Sequence, residues 1–66
     1  MQITLNGQTC ELAEPQTVAS LLLWAGLADS RIAVEVNREI VPRGRHESQS
    51  IADGDRVEII RAIGGG

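Results

Sequence analysis

The apolar residues of this chain alternate like those of β-strands, except in one short segment where they repeat like those of a helix. Four of them stand at positions i, i+3, i+4 and i+7, and so share one helical face: Val18, Leu21, Leu22 and Ala25. Thr17 is a suitable N-cap, and Gly26 suits the left-handed position that follows a helix. We therefore predict one helix of about two turns that begins at Val18.

Strand patterns flank this helix on both sides. Before it, two alternating segments meet at Asn6-Gly7, a pair that favours a tight turn, so residues 1–13 are predicted to form a β-hairpin. Three further strands are predicted after the helix: residues 32–36, 39–41 and 55–63. A helix that crosses over the sheet lets the first and last strands pair in parallel. The order ββαβ(β)β predicts an α+β fold, with a mixed four- to five-stranded sheet and one main helix packed on one face.

Composition narrows the functional classes. The chain has 66 residues, 42% of them hydrophobic and 23% charged, which predicts one folded soluble domain, residues 1–63, followed by a flexible glycine tail, residues 64–66. No apolar run is long enough to span a bilayer, and Met1 is not followed by a signal peptide, so we expect a cytoplasmic protein without membrane contact. A net charge of −3 and a single aromatic residue, Trp24, argue against nucleic-acid binding. Protein partners are expected instead.

The chain ends in Gly64, Gly65 and Gly66. A segment without Cβ atoms can pass through a narrow channel, and three extended residues span roughly 10 Å, so this tail can carry the Gly66 carboxylate into another protein's active site. A carboxylate is a poor electrophile and must first be activated, for example as an acyl-adenylate formed with ATP. The sequence has no glycine-rich phosphate loop of its own, so a partner would carry out the activation. The alternative is an inert terminus.

Two apolar residues close to the tail are candidate partner contacts. Val57 and Ile59 alternate inward, which leaves Ile60 on the open face of the sheet, where it either docks a partner or is covered by a neighbouring side chain. Ile63 directly precedes the glycines. It either anchors the base of the tail in a partner pocket or packs locally.

Four other residues are weighed for function. Leu23 and Trp24 lie off the helical stripe, and we expect them to cover the edge of the core rather than to form an exposed contact patch. Cys10 is on the inward side of its strand, which favours a buried small hydrophobe over a reactive thiol. His46 stands alone in a polar, irregular stretch, residues 43–50, with no second ligand at metal spacing. No metal site is expected.

A set of short motifs occurs in one order along the whole chain. These are Asn6-Gly7, Thr17-Val18 with Leu21-Leu22, Ala33-Val34-Glu35-Val36-Asn37, Ile40-Val41-Pro42-Arg43, Asp53-Gly54-Asp55 with Val57-Glu58, and the terminal glycines. The ordered set resembles the ThiS family of thiamine-biosynthesis sulfur carriers and, more distantly, the MoaD and ubiquitin families. The resemblance implies a β-grasp, ubiquitin-like fold and a carrier rather than an enzyme.

The resemblance also implies a reaction. A ThiF-like enzyme would adenylate Gly66 with Mg-ATP, and the adenylate would become a thiocarboxylate whose sulfur comes from cysteine by a desulfurase or oxidase route. The thiocarboxylate would then donate sulfur to a ThiG-like thiazole synthase, with Gly64 and Gly65 lying in the partner's channel. The chain itself would bind no cofactor. Two alternatives remain: a carrier for molybdopterin synthesis or another acceptor, and a non-covalent ubiquitin-like interaction module.

Overall fold

Strands dominate the part of the chain that the structure, a computed structural model, describes: residues 1–28 and 31–61. The elements in these ranges are β1 (Gln2–Leu5), β2 (Gln8–Glu11), β3 (Gln16–Thr17), α1 (Val18–Trp24), β4 (Ile32–Val36), β5 (Glu39–Val41), a 3₁₀ helix (Arg43–Arg45), β6 (Ser50–Ile51) and β7 (Arg56–Arg61). The prediction of one main helix among strands is confirmed for these residues. Residues 62 and 63, predicted to extend the last strand, lie outside the described ranges.

The N-terminal hairpin forms where the sequence predicts it. β1 and β2 pair antiparallel, with Ile3 opposite Cys10 and Leu5 opposite Gln8. Asn6 and Gly7 make the turn with φ angles of 49° and 82°. Both angles are positive, and Asn and Gly tolerate such angles better than other residues do, so this dipeptide fixes the register of the hairpin.

The helix begins at Val18 and is capped as predicted. The Thr17 side chain accepts a hydrogen bond from Ser20 N at 3.1 Å, and the Ser20 hydroxyl accepts one from Thr17 N at 2.9 Å. This reciprocal capping box satisfies two backbone donors that a helix N-terminus otherwise leaves without partners. At the other end Gly26 has a φ of 72°, the left-handed conformation that terminates a helix.

Replacing Thr17 with alanine should destabilise the fold by about 1 kcal/mol, because the cap acceptor for Ser20 N is lost. Urea unfolding followed by circular dichroism measures this change. Thr17→Ser is the matched control, since it keeps the hydroxyl and should retain most of the stability. Equal losses in both variants would show that the methyl group of Thr17, not its cap, is what matters.

The main sheet has the strand order β2-β1-β7-β4-β5. β7 lies at its centre and pairs in parallel with β1, Thr4 opposite Arg56 and Leu5 opposite Val57, while β4 pairs antiparallel with β7. The predicted mixed sheet and the parallel pairing of the first and last strands are therefore confirmed. The strand that leads toward the C-terminal glycines is held from both sides.

The structure contains a second, two-stranded sheet that the sequence patterns do not predict. β3 and β6 pair antiparallel, with Gln16 opposite Ile51 and Thr17 opposite Ser50. Each strand has two residues, too short for an alternating pattern to be recognised. The pairing ties the start of the helix to the loop that precedes β7.

The core lies between the helix and one face of the main sheet. Its buried members are Ile3, Leu12, Val18, Leu21, Leu22, Val34, Val36, Val41, Ile51 and Val57. The predicted helical stripe contributes Val18, Leu21 and Leu22, whereas Ala25 is half-buried. Because side chains alternate across a sheet, every second residue of β4 and β7 points to the opposite face, which the helix does not cover.

Candidate functional site

The candidate site is the C-terminal end of β7 and the open sheet face around it. Ile32 of β4 lies opposite Arg61, and Ala33 lies opposite Ile60, so the end of β7 is aligned by β4 up to the last described residue. Val57, three residues before Ile60, is completely buried. β7 is therefore anchored in the core four residues before Arg61, its last residue.

Of the predicted partner contacts, Ile60 is described and is exposed. It has 54% of its surface accessible and faces away from the helix, so the alternative that a neighbouring side chain covers it is wrong. Ile63, Gly64, Gly65 and Gly66 lie outside the described residues. Their predicted roles, like the boundary between domain and tail at residue 63, stay predictions.

The surface around Ile60 mixes apolar and charged side chains. Glu35 lies opposite both Glu58 and the strongly exposed Ile40. Arg56 forms an ion pair with Glu58 at 3.3 Å, and since both side chains are exposed the pair contributes at most about 1 kcal/mol. A face with separated apolar residues among charges can combine hydrophobic contact with charge pairing in a protein interface.

The expected cover of the core edge by Leu23 and Trp24 is wrong. Leu23 is 71% exposed and Trp24 57% exposed. Each helical residue turns the side chain by about 100°, so Leu23 points away from a sheet that its neighbours Leu21 and Leu22 already face. The alternative of an exposed apolar patch on the helix is the one that the structure supports.

The sequence gives no indication that His46 is buried. The stretch expected to be irregular contains the 3₁₀ helix Arg43–Arg45. His46 follows this helix directly and is buried, and its ring atom Nε2 lies 3.1 Å from Val41 O. Its own carbonyl oxygen accepts from Ala19 N at 2.7 Å. His46 thus connects β5 with the first turn of the helix. The polar residues around it show no apolar repeat, so the sequence could not predict this contact.

His46 also lines an open cleft of about 450 Å³ between the helix and the start of β4. Its other lining residues are mostly apolar: Ala19, Leu22, Leu23, Ala28, Ile32 and Arg43. Among residues 1–28 and 31–61 no group of three or more His, Cys, Asp or Glu residues is placed to hold a metal ion. In the same ranges no helix is long and apolar enough to cross a membrane.

Cys10 is half-buried rather than fully buried. It packs against the core beside Ile3, and its thiol, which is in no disulfide, lies 3.8 Å from Gln8 O. The inward orientation predicted from strand alternation is confirmed, but β2 is an edge strand with a neighbouring strand on one side only, so the side chain keeps some exposure.

The sequence matches a known protein family over nearly its whole length. The model of the ThiS family matches residues 3–66, which includes the three terminal glycines. The chain belongs to the ThiS family. It is similar to the sulfur carrier protein ThiS of Escherichia coli strain K12, with 35% identity over 66 residues that cover all of both chains.

A solved member of the ThiS family has the same fold. The crystal structure of the thiamine biosynthesis protein ThiS from Geobacter metallireducens matches with a TM-score of 0.87 and 33% identity, over the whole of both chains. The fold is therefore the predicted β-grasp fold. The Escherichia coli relative is named a carrier, in agreement with the prediction that this chain is a carrier rather than an enzyme.

Two further relatives are longer proteins, in each of which one segment is similar to this chain. A thiazole synthase from Paramagnetospirillum magneticum is 38% identical over 66 residues, which are all of this chain but 20% of that protein. A thiazole synthase from Magnetococcus marinus matches in the same way, with 35% identity over 20% of its length. The chain thus spans one fifth of the length of these two relatives.

Proposed function

We propose that this chain is a sulfur carrier of thiamine biosynthesis and that the Gly66 carboxyl is the group that carries sulfur. The observation that carries the proposal is the match of the ThiS family model through residue 66, since it includes the tail as well as the folded domain. The full-length similarity to a protein named sulfur carrier supports the same conclusion. The reaction belongs in the cytoplasm, where thiols and thioacids stay reduced.

The proposed chemistry has two steps before sulfur is delivered. A Gly66 carboxylate oxygen attacks the α-phosphorus of Mg-ATP in a ThiF-like enzyme, and pyrophosphate leaves. Hydrosulfide, derived from cysteine by a desulfurase or oxidase route together with a thiol reductant, then attacks the carbonyl carbon; AMP leaves, and loss of the proton from sulfur gives the thiocarboxylate. The activation makes the carboxyl carbon electrophilic, and the product is in turn a nucleophile held on the protein.

The proposed acceptor is a ThiG-like thiazole synthase. Two proteins named thiazole synthase contain a segment similar to the whole of this chain. A carrier segment within the same polypeptide as a synthase raises its effective concentration at that enzyme, which is expected for a carrier whose acceptor is the synthase. This similarity favours thiazole formation over molybdopterin synthesis as the destination of the sulfur.

A reconstituted assay tests this assignment. The chain is mixed with a ThiF-like enzyme, Mg-ATP, a sulfur source and a ThiG-like synthase with its small-molecule substrates, and thiazole phosphate is measured by chromatography. Product should form in proportion to the carrier added and should need ATP. Transfer to molybdopterin synthase but not to the thiazole synthase would support the other carrier function. An uncharged chain that still binds both enzymes would support the non-covalent module.

Replacing Ile60 with arginine should weaken binding to the ThiF-like enzyme roughly tenfold or more, as expected when an interface residue worth more than about 1 kcal/mol is lost. Ile60 is exposed and next to the last described residue of β7, so the substitution leaves the core intact. Titration calorimetry measures the Kd. Leu23→Arg is the matched control, because Leu23 is also exposed, 71% against 54% for Ile60, but lies on the helix. Unchanged affinity of the Ile60 variant would remove this residue from the interface.

A further inference from the structure

The side chain of Asn6 reaches from the N-terminal hairpin turn to the last strand. The paired residues of β1 and β7 end at Leu5 opposite Val57. Asn6 N then donates to Val57 O at 2.9 Å, and the Asn6 side-chain oxygen Oδ1 accepts from Ile59 N at 2.8 Å. The Asn6 side chain thus makes the hydrogen bond to β7 that the backbone of a further β1 residue would otherwise make in the parallel ladder.

This hydrogen bond acts on the part of β7 that leads to the tail. Beyond Val57, β4 aligns one edge of β7, as far as Ile32 opposite Arg61. On the other edge the β1 ladder has ended, and Asn6 Oδ1 binds the next amide that faces that way. Ile59 is two residues from the last described position, so a sideways shift of this amide would move the strand end to which residues 62–66 are joined.

We propose that Asn6 is a positioning residue for the carrier reaction. By holding Ile59 N–H, it fixes the end of β7 and thus the place at which the tail enters a partner's active site. The inference rests on the proposed carrier function, because the tail has to be placed only if its end reacts. Asn6 itself does not touch the reacting carboxyl.

A second asparagine provides a matched control in the same strand. Asn37, in the turn between β4 and β5, also has a positive φ, 52°, and its Oδ1 accepts from Arg56 N at 2.9 Å. It therefore makes the same kind of bond at the beginning of β7, away from the tail. Asn37 also donates from Nδ2 to Asp55 Oδ1 at 3.0 Å, so its loss should cost at least as much stability as the loss of Asn6.

The first measurement is amide hydrogen exchange, by NMR, of Asn6→Gly and Asn37→Gly. Glycine accepts the positive φ at both turns, so each substitution removes the side chain without straining the backbone. In Asn6→Gly the Ile59 amide should exchange up to about tenfold faster relative to the other β7 amides, whereas in Asn37→Gly the Arg56 amide should respond. Ile59 exchange that does not change in Asn6→Gly would overturn the inference.

The second measurement is the steady-state rate of thiocarboxylate formation with a ThiF-like enzyme, well below the melting temperature of each variant. Asn6→Gly should lower kcat/KM about tenfold, since a misplacement of about 1 Å can cost up to about 100-fold. Asn6→Asp keeps an acceptor oxygen and should restore most of the rate, and Asn37→Gly should stay close to wild type. Equal rates for the two glycine variants would overturn the positioning role. A wild-type chain that is never charged would overturn the proposed function instead.

Discussion

Removal of Gly65 and Gly66 should abolish sulfur transfer to the acceptor enzyme and leave the melting temperature unchanged. The new terminal carboxyl, on Gly64, would lie roughly 7 Å short of its former reach, beyond what a partner active site tolerates. Glycine has no side chain to bury, so the two deleted residues remove no side-chain packing from the core. Thiazole formation in the reconstituted system and thermal unfolding by circular dichroism are the two measurements.

The matched control for this deletion is Gly66→Ala, which keeps the length of the chain and places one methyl group next to the reacting carboxyl. It should lower the rate of charging without changing stability, because a channel fitted to glycine has no room for a Cβ. A deletion variant that melts as early as a core variant would contradict the assignment of the tail to delivery alone. A deletion variant that still transfers sulfur would contradict the role of Gly66.

Leu21→Ala should destabilise the fold by about 2–5 kcal/mol, because it removes a completely buried side chain and leaves a cavity between helix and sheet. In a domain of this size each kcal/mol corresponds to roughly 4–8 °C, so the melting temperature should fall by at least about 8 °C. The total stability of such a small domain is itself only about 3–10 kcal/mol. Urea unfolding should therefore show a variant that is close to its folding limit.

Leu23→Ala is the control for this prediction. It makes the same chemical change two residues along the same helix, but Leu23 is 71% exposed, so the change should stay within about 0.5 kcal/mol. The comparison tests directly whether the helix packs by the stripe that contains Leu21. Similar losses in both variants would contradict the burial pattern of the helix.

The helix and the five strands of the main sheet could be predicted because each has a local signal. Asn6-Gly7 predicts a turn with positive φ angles, and Thr17 predicts a cap whose hydroxyl binds the first turn, and both occur in the structure. The parallel pairing of β1 and β7 follows from the crossover of a single helix. In each case the residues that determine the feature are close together in the sequence or follow a general rule of connection.

The missed features depend on contacts between distant residues. The pairing of Gln16 with Ile51 joins segments with no period of their own, and the burial of His46 depends on the position of Val41 and of the helix start. Trp24 is 57% exposed, and how much of a residue beside the helical stripe is covered depends on the elements packed next to the helix, which are distant in the sequence.

The candidate site is predictable only in part. Strand alternation places Ile60 on the open face, and the structure confirms it. The chemistry of the tail could not be predicted from side-chain geometry, because glycines have no side chains. It was predicted from the resemblance to sulfur carriers. The contact of Asn6 with Ile59 was not predicted, because the two residues are 53 positions apart and an asparagine in a turn is already explained by its φ angle.

Intact-mass spectrometry of the chain after incubation with a ThiF-like enzyme, Mg-ATP and a sulfur source tests the central claim most directly. The chain should gain the mass that replaces one oxygen atom by sulfur, fragmentation should locate this change at Gly66, and omission of ATP should prevent it. An unmodified carboxyl at Gly66, under conditions that charge a known sulfur carrier, would contradict the account.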